Sequence, residues 1–249
     1  MALFLALFQD GLFTKLIAQY GIKDQSVEYY ALFIGLVALV MIASYLLGGI
    51  SSAITVSRTL YKEDIRNHGS GNAGMTNILR TYGKGAAFLT WCGDMLKTVI
   101  SILLAALIFG FNYNNIVSLN GLCYLAGLCA VFGHVFPVYY GFKGGKGVLV
   151  TATMTFVLCP PLFFVLMGTF AVIVSISGYV SLASMCVATL LPIAFTLYSY
   201  FLGGEVSPLM VVSTVILGAF IVWCHRSNIV RLKAGTEKKI SIGKKEKKK

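Results

Sequence analysis

The sequence predicts an all-α integral membrane protein with seven transmembrane helices, the amino terminus outside and the carboxyl terminus cytoplasmic. Three observations lead there: a composition too apolar for a water-facing surface, long apolar stretches with few charges inside them, and basic residues gathered into three separated segments. Of 249 residues, 57% are hydrophobic and only 12% charged, against roughly half apolar and a quarter charged in soluble domains. The mean hydropathy of +0.83 agrees. So few charges cannot cover a globular surface, which excludes a soluble globular enzyme. The net charge of +11 sits mostly in loops and a tail, which points away from nucleic acid and toward anionic lipid headgroups or phosphorylated substrates.

Residues 1–30 carry Asp10, Lys15, Lys23, Asp24 and Glu28 too closely spaced to leave a spanning run. They read as an interfacial amino-terminal extension. Residues 1–8 lack a basic leader, and no small-residue cleavage site precedes the next charges, so no cleavable signal peptide is expected. A spanning helix needs roughly 20 apolar residues, and residues 31–56, 86–111, 119–140, 179–201 and 208–224 qualify. Residues 148–177 would make a helix about 45 Å long at roughly 1.5 Å per residue, yet Pro160 and Pro161 interrupt their middle. Proline removes amide donors and clashes with the preceding turn, so this stretch is one long kinked helix or two short ones.

Charge placement decides between them, because short cytoplasmic loops carry the lysine and arginine excess. Residues 58–84 hold five basic residues, 142–147 hold two and 225–249 hold ten, together 17 of the 20. The connections 111–118, 159–161 and 202–207 hold none, and Glu205 is their only charge. Two crossings within 148–177 place all three basic segments on the same side. Seven helices are therefore expected within a membrane domain at 31–239, followed by a lysine-rich tail at 240–249 drawn to the anionic inner leaflet. Cys92, Cys123, Cys129, Cys159, Cys186 and Cys224 fall singly inside apolar runs and read as small buried hydrophobes.

The three basic segments also concentrate the polar side chains. The first reads GSGNAGMTNILR over residues 69–80. Its G-x-G-x-x-G spacing has dinucleotide meaning only between a strand and a helix, and here it lies between membrane helices. Glycines interleaved with Ser70, Asn72, Thr76 and Asn77 can turn backbone amides toward an anion, with Arg80 supplying a planar fork. The second reads FKGGKG over residues 142–147. It is not a Walker loop, since Gly147 follows Lys146, but Lys143 and Lys146 in a glycine frame suit a phosphate dianion. They also suit positive-inside anchors. The third reads HRSNIVRLKAGTE over residues 225–237, where His225 and Asn228 share one face of a continuing helix.

Asp94 and Lys97 lie inside a membrane run at i and i+3. Intramembrane charges are functional candidates by default, but a structural ion pair is the favoured reading. His68 and His134 read as structural. There is no H-x-x-x-x-D, G-x-S-x-G or H-E-x-x-H pattern, no obvious covalent catalyst, and neither a metal nor a cofactor is expected.

At these three segments the chain resembles the bacterial acyl-phosphate:glycerol-3-phosphate acyltransferases, integral membrane enzymes that open phospholipid synthesis. The resemblance runs from about Ala31 to Lys239 and rests on GSGNAGMTN with Arg80, GHVFPVYYGFKGGKG from Gly133, and HRSNIVRL with a following Gly-Thr-Glu. It implies a seven-helix enzyme of the inner membrane with its site facing the cytoplasm, and long-chain acyl phosphate, glycerol 3-phosphate and membrane lipids as partners. By the resemblance, Ser70 and Arg80 contact substrate phosphate, and Gly71 between them is a substrate-binding candidate of the same glycine-rich segment. Gly144, Gly145, Lys146 and Gly147 hold glycerol 3-phosphate, His225 and Asn228 are essential polar residues, and Glu237 is mainly structural. Met75 stands where the family usually has alanine, and residues 48–52 lack its usual proline. A transporter of phosphate esters is the alternative, although transporter sites usually lie near the midplane at broken helices.

Overall fold

The computed structural model describes residues 11–110, 120–201 and 206–239. Among them the chain is helical, with eleven α-helices: α1 (Leu12–Gln19), α2 (Val27–Gly49), α3 (Ser52–Leu60), α4 (Met75–Tyr82), α5 (Lys84–Phe109), α6 (Asn120–Val135), α7 (Val148–Leu158), α8 (Pro160–Ser177), α9 (Val180–Phe201), α10 (Pro208–Cys224) and α11 (Arg226–Lys233). Five helical spans are long and apolar enough to cross a membrane, and a sixth if α10 is taken together with α11, which bends from it by 52°. At 11 residues, α7 is about 17 Å long, shorter than the hydrocarbon core. The perimeter suits lipid: Ile34 and Phe164 are each 64% exposed and Ile176 is 82% exposed, far more apolar surface than a water-soluble monomer presents.

Local chemistry moves several boundaries from those the hydropathy suggests. The first spanning helix starts at Val27, earlier than residue 31, because the Ser26 hydroxyl accepts the Tyr29 N–H at 3.2 Å and caps it. It does not run unbroken to residue 56. Ile50 and Ser51 are extended, and Ser51 caps α3 by accepting the Ile54 N–H at 3.4 Å. The helix expected over 119–140 ends at Val135, since Pro137 biases Phe136 away from helical geometry. Pro160 and Pro161 open α8 at its first two positions, and Cys159 at φ −151° separates it from α7, so residues 148–177 form two helices. Pro192 is accommodated inside α9.

The core forms where α6 is surrounded by α2, α5, α7 and α10. Close approach of α2 and α6 depends on small residues: a Cβ on Gly48 would collide with the Ala130 carbonyl, and one on Gly133 with the Tyr45 carbonyl. Deeper in, Tyr124 meets Phe195 edge-on at 5.3 Å. In the amino-terminal extension, α1 buries Phe13 against Tyr29, Phe33 and Phe109 at 5.2, 5.5 and 6.2 Å. Residues 1–10, the connection 111–119, Glu205 and the tail at 240–249 lie outside the described residues.

Candidate active site

The first glycine-rich segment is a compact loop held by one buried side chain. Gly69 and Gly71 adopt φ of +62° and +72°, values open to glycine at little cost. Asn77, at the start of α4, accepts the Ser70 N–H at 2.9 Å and directs its amide toward the carbonyls of His68, Asn72 and Ile65 at 2.9, 3.1 and 3.2 Å. Its side chain is thus committed to shaping the loop. Asn77 still borders the cavity, alongside Ser70, Asn72, Thr76 and Arg80. Arg66 ties this loop to the second segment by donating to the Tyr140 carbonyl at 2.7 Å. Its guanidinium also holds the neighbouring Asp64 carboxyl well below the usual carboxylate range.

The second segment hangs from the end of α6. Gly145 and Gly144 donate to the His134 and Val135 carbonyls, both at 3.1 Å. A Cβ at Gly145 would strike the His134 ring, so glycine is required for this approach. Gly147, at φ +79°, turns the chain into α7.

Lys146 then reaches across to the third segment and donates to Asn228 Oδ1. Asn228 Nδ2 donates to Glu237 Oε1 at 2.6 Å, Ser181 Oγ donates to the same oxygen at 2.7 Å, and Arg231 Nε donates to Glu237 Oε2 at 2.7 Å. Burial pushes the Glu237 carboxyl up, but these hydrogen bonds and the Arg231 charge outweigh it and hold it below its ordinary value. Burial, then the Arg231 and Arg80 charges, lower the Lys146 pKa against the opposing pull of Glu237. His225 Nδ1 lies 2.8 Å from the Ile221 carbonyl. That contact assigns the hydrogen to Nδ1 and leaves Nε2 with a free lone pair. Burial and the Lys146 charge hold the ring below its ordinary pKa, against the opposing effects of the Ile221 bond and Glu237, so it is neutral at physiological pH.

These groups share one cavity of about 680 Å³. Arg80, Lys146, His225, Asn228, Arg231 and Glu237 border its polar end. It continues between α7, α8 and α9 past Thr155, Phe163, Leu166, Val187 and Leu191. Gly147 lines this cavity, whereas Gly71, Lys143, Gly144 and Gly145 line an adjoining cleft of about 310 Å³ with Arg226. Ser70, Asn72, Lys146 and Arg231 border both. Asp94 and Lys97 pair at 2.9 Å with their side chains 2% and 5% exposed. Asp94 also borders the cavity, as does His134, while Lys97 stands behind them.

Sequence reasoning passed over Arg231, Ser181 and Thr151, and it read His134, which borders the cavity, as structural. Arg231 follows Asn228 by three residues, the same spacing that joined Asn228 to His225, so a signal for it was present. Ser181 carries none in a run of small and apolar residues.

The profile of the family described as glycerol-3-phosphate acyltransferase matches residues 38–235. Curated relatives of that name include one from Halorhodospira halophila, 41% identical over 202 residues that span 81% of this chain and 95% of the relative. Another, from Syntrophomonas wolfei, is 41% identical over 204 residues, 82% of this chain and 97% of the relative. Two crystal structures of PlsY (YgiH), an integral membrane glycerol 3-phosphate acyltransferase, share the fold. Its glycerol 3-phosphate form has a TM-score of 0.71 at 34% identity, covering 82% of this chain and 96% of that one. Its lysophosphatidic acid form has a TM-score of 0.69 at 33% identity, covering 82% and 95%. A profile match across most of the chain, relatives matched almost end to end, and a shared helical fold place this protein in the glycerol-3-phosphate acyltransferase family.

Proposed function

We propose that this protein transfers a fatty acyl group from a long-chain acyl phosphate to the 1-hydroxyl of glycerol 3-phosphate, giving lysophosphatidic acid and phosphate. The carrying observation is the single cavity that joins a cationic, hydrogen-bonding end to an apolar groove between helices, which suits a ligand with a phosphate at one end and a hydrocarbon chain at the other. Arg80, Lys146 and the backbone amides around Ser70 hold the phosphates, and the acyl chain lies along Phe163, Leu166 and Leu191. The glycerol hydroxyl oxygen attacks the acyl carbonyl carbon. The bond from that carbon to the phosphate oxygen breaks, and phosphate leaves with its electron pair. The hydroxyl proton passes to His225 Nε2 or to a substrate phosphate oxygen. Acyl phosphate already carries a good leaving group, so positioning and charge neutralisation supply most of the catalysis.

Purified protein supplied with glycerol 3-phosphate should form lysophosphatidic acid from palmitoyl phosphate and not from palmitoyl-CoA. Product from palmitoyl-CoA alone would reject the acyl-phosphate donor. Uptake of labelled glycerol 3-phosphate into reconstituted vesicles without acyl transfer would favour a transporter.

The seven apolar helices α2, α5, α6, α7, α8, α9 and α10 are read as crossing the bacterial inner membrane with the amino terminus outside, α7 and α8 being short crossings. The basic segments and the site then face the cytoplasm, the extension at 1–30 lies at the outer interface, and the tail at 240–249 meets the inner leaflet. A reporter active only outside the cell, fused after Lys249, should be silent.

A further inference from the structure

Many helical threonines among the described residues share one habit. Thr90, Thr98, Thr153, Thr155, Thr196 and Thr214 each donate Oγ1–H to the carbonyl four residues back. Thr151 does not. The Gly147 carbonyl one turn earlier accepts the Thr151 backbone N–H at 2.9 Å, yet the Thr151 hydroxyl is buried without a hydrogen-bond partner. Thr151 borders the large cavity, one turn along α7 from the Lys146 loop. A buried hydroxyl without a partner destabilises a fold, whereas valine would fill the same shape without that penalty. Helical threonine has two accessible χ1 wells, so a ligand offering an acceptor can recruit this hydroxyl.

The same cavity is bordered by a second donor of fixed identity. Lys97 Nζ contacts the Ile50 carbonyl at 2.9 Å, Asp94 Oδ1 at 2.9 Å and His134 Nδ1 at 3.0 Å. An ammonium only donates, so Nδ1 of His134 accepts and the neutral ring bears its hydrogen on Nε2. That ring borders the cavity and packs against Gly145, beside the Lys146 loop. Val148 and Leu149, the first residues of α7, border the cavity as well, and α7 has no side-chain cap.

Donors from α6 and α7 therefore border the same cavity as the phosphate-binding cations and the apolar groove, the cavity that must also hold the bond between phosphate and acyl chain. We propose that Thr151 Oγ1 and His134 Nε2, assisted by the first-turn amides of α7, hold the carbonyl oxygen of the acyl donor and the negative charge that develops on it. This assignment rests on the acyl-transfer reading above. As the glycerol hydroxyl oxygen bonds to the carbonyl carbon, the carbonyl π pair moves onto its oxygen and is held by these hydrogens. It returns to re-form the carbonyl as phosphate departs, and the hydroxyl proton goes to His225 Nε2 or a substrate phosphate oxygen. Lys97 and Asp94 act as positioning residues through His134.

The test compares Thr151→Val, Thr151→Ser, His134→Gln and His134→Ala in acylation of labelled glycerol 3-phosphate by palmitoyl phosphate. Thr153→Val is the control, since Thr153 is buried on the same helix with its hydroxyl paired and is not part of the cavity wall. Loss of an oxyanion donor costs roughly a hundredfold or more in kcat, so Thr151→Val should lose about that much, with KM for palmitoyl phosphate little changed and a Tm equal to or above wild type. Thr151→Ser should stay within about tenfold of wild type, and His134→Gln, which keeps an N–H donor, should exceed His134→Ala. Thr153→Val should lower Tm and leave kcat unchanged.

Wild-type kcat in Thr151→Val, equal losses in Thr151→Val and Thr151→Ser, a matching kcat loss in Thr153→Val, or equal kcat in His134→Gln and His134→Ala would overturn the assignment. Should the His134 variants fail to fold, nitrogen-15 spectra of histidine-labelled wild type decide for that residue. The hydrogen must sit on Nε2, and a hydrogen on Nδ1 overturns its role. A wild-type protein that makes no lysophosphatidic acid would instead remove the acyl-transfer reading itself.

Discussion

Replacing Glu237 by glutamine keeps the shape of the side chain and removes the charge on which three donors converge. The carboxylate accepts from Asn228 at 2.6 Å, Ser181 at 2.7 Å and Arg231 at 2.7 Å, and its side chain is only 9% exposed. A hydrogen bond to a charged acceptor contributes about 1.5–3 kcal/mol, against about 1 kcal/mol for a neutral one. Converting the Ser181 and Asn228 bonds from charged to neutral should thus cost about 2 kcal/mol. Arg231 is 40% exposed, so solvent screens its contribution, which adds less than about 1 kcal/mol. The total is about 2–3 kcal/mol, which at roughly 2–4 °C per kcal/mol for a chain of this size lowers Tm by about 5–10 °C. Whichever way the glutamine amide turns, its NH2 meets a donor, Arg231 in one orientation and Asn228 in the other, so the brace on Asn228 and through it on Lys146 loosens. The expected result is a fall in kcat/KM for glycerol 3-phosphate together with the fall in Tm.

The pH dependence has a defined sign. A carboxylate held below its unfolded pKa contributes stability above that value and loses it as pH falls through the folded value. The wild-type protein should therefore lose this increment below about pH 4, and Glu237→Gln should not. Thermal unfolding in detergent across pH 3–8, alongside the palmitoyl phosphate assay, measures both. A Tm within about 1 °C of wild type at pH 7, with unchanged kcat/KM, would refute the claim that Glu237 braces the site.

His225→Ala should lose roughly a hundredfold or more in turnover if His225 is the base, and a loss below about tenfold would reject that role. Because its pKa is held below the ordinary value of about 6.5, the wild-type rate should fall on acidification only below that pH, and an acid limb centred above it would contradict the buried, Lys146-facing environment. Gly69→Ala forces a left-handed φ, costing about 1–2 kcal/mol, and its Cβ would collide with the Asn77 oxygen that holds the Ser70 N–H. Circular dichroism melts should show a drop of several degrees at roughly 2–4 °C per kcal/mol, with most acyl transfer lost. Wild-type behaviour in both would refute the account of the loop.

Hydropathy and charge are properties of neighbouring residues along the chain, so what depends on them was readable without coordinates. Each of the six apolar stretches is largely helical among the described residues, residues 148–177 divide at Pro160, and basic residues, with glycine abundant in two of the three, marked the polar segments. Capping hydrogen bonds at Ser26 and Ser51, and the backbone restriction that Pro137 places on Phe136, shifted helix ends because single local contacts outweigh a hydropathy average there. Partnership across the chain was not readable. Lys146 meets Asn228 over a separation of 82 residues and Ser181 meets Glu237 over 56, and no spacing rule connects side chains brought together only when α7, α9 and α11 pack. Packing likewise turned Asn77 into the brace of its loop. It also joined Asp94 and Lys97 to His134, because a buried charge must find every available partner once lipid and protein have displaced water.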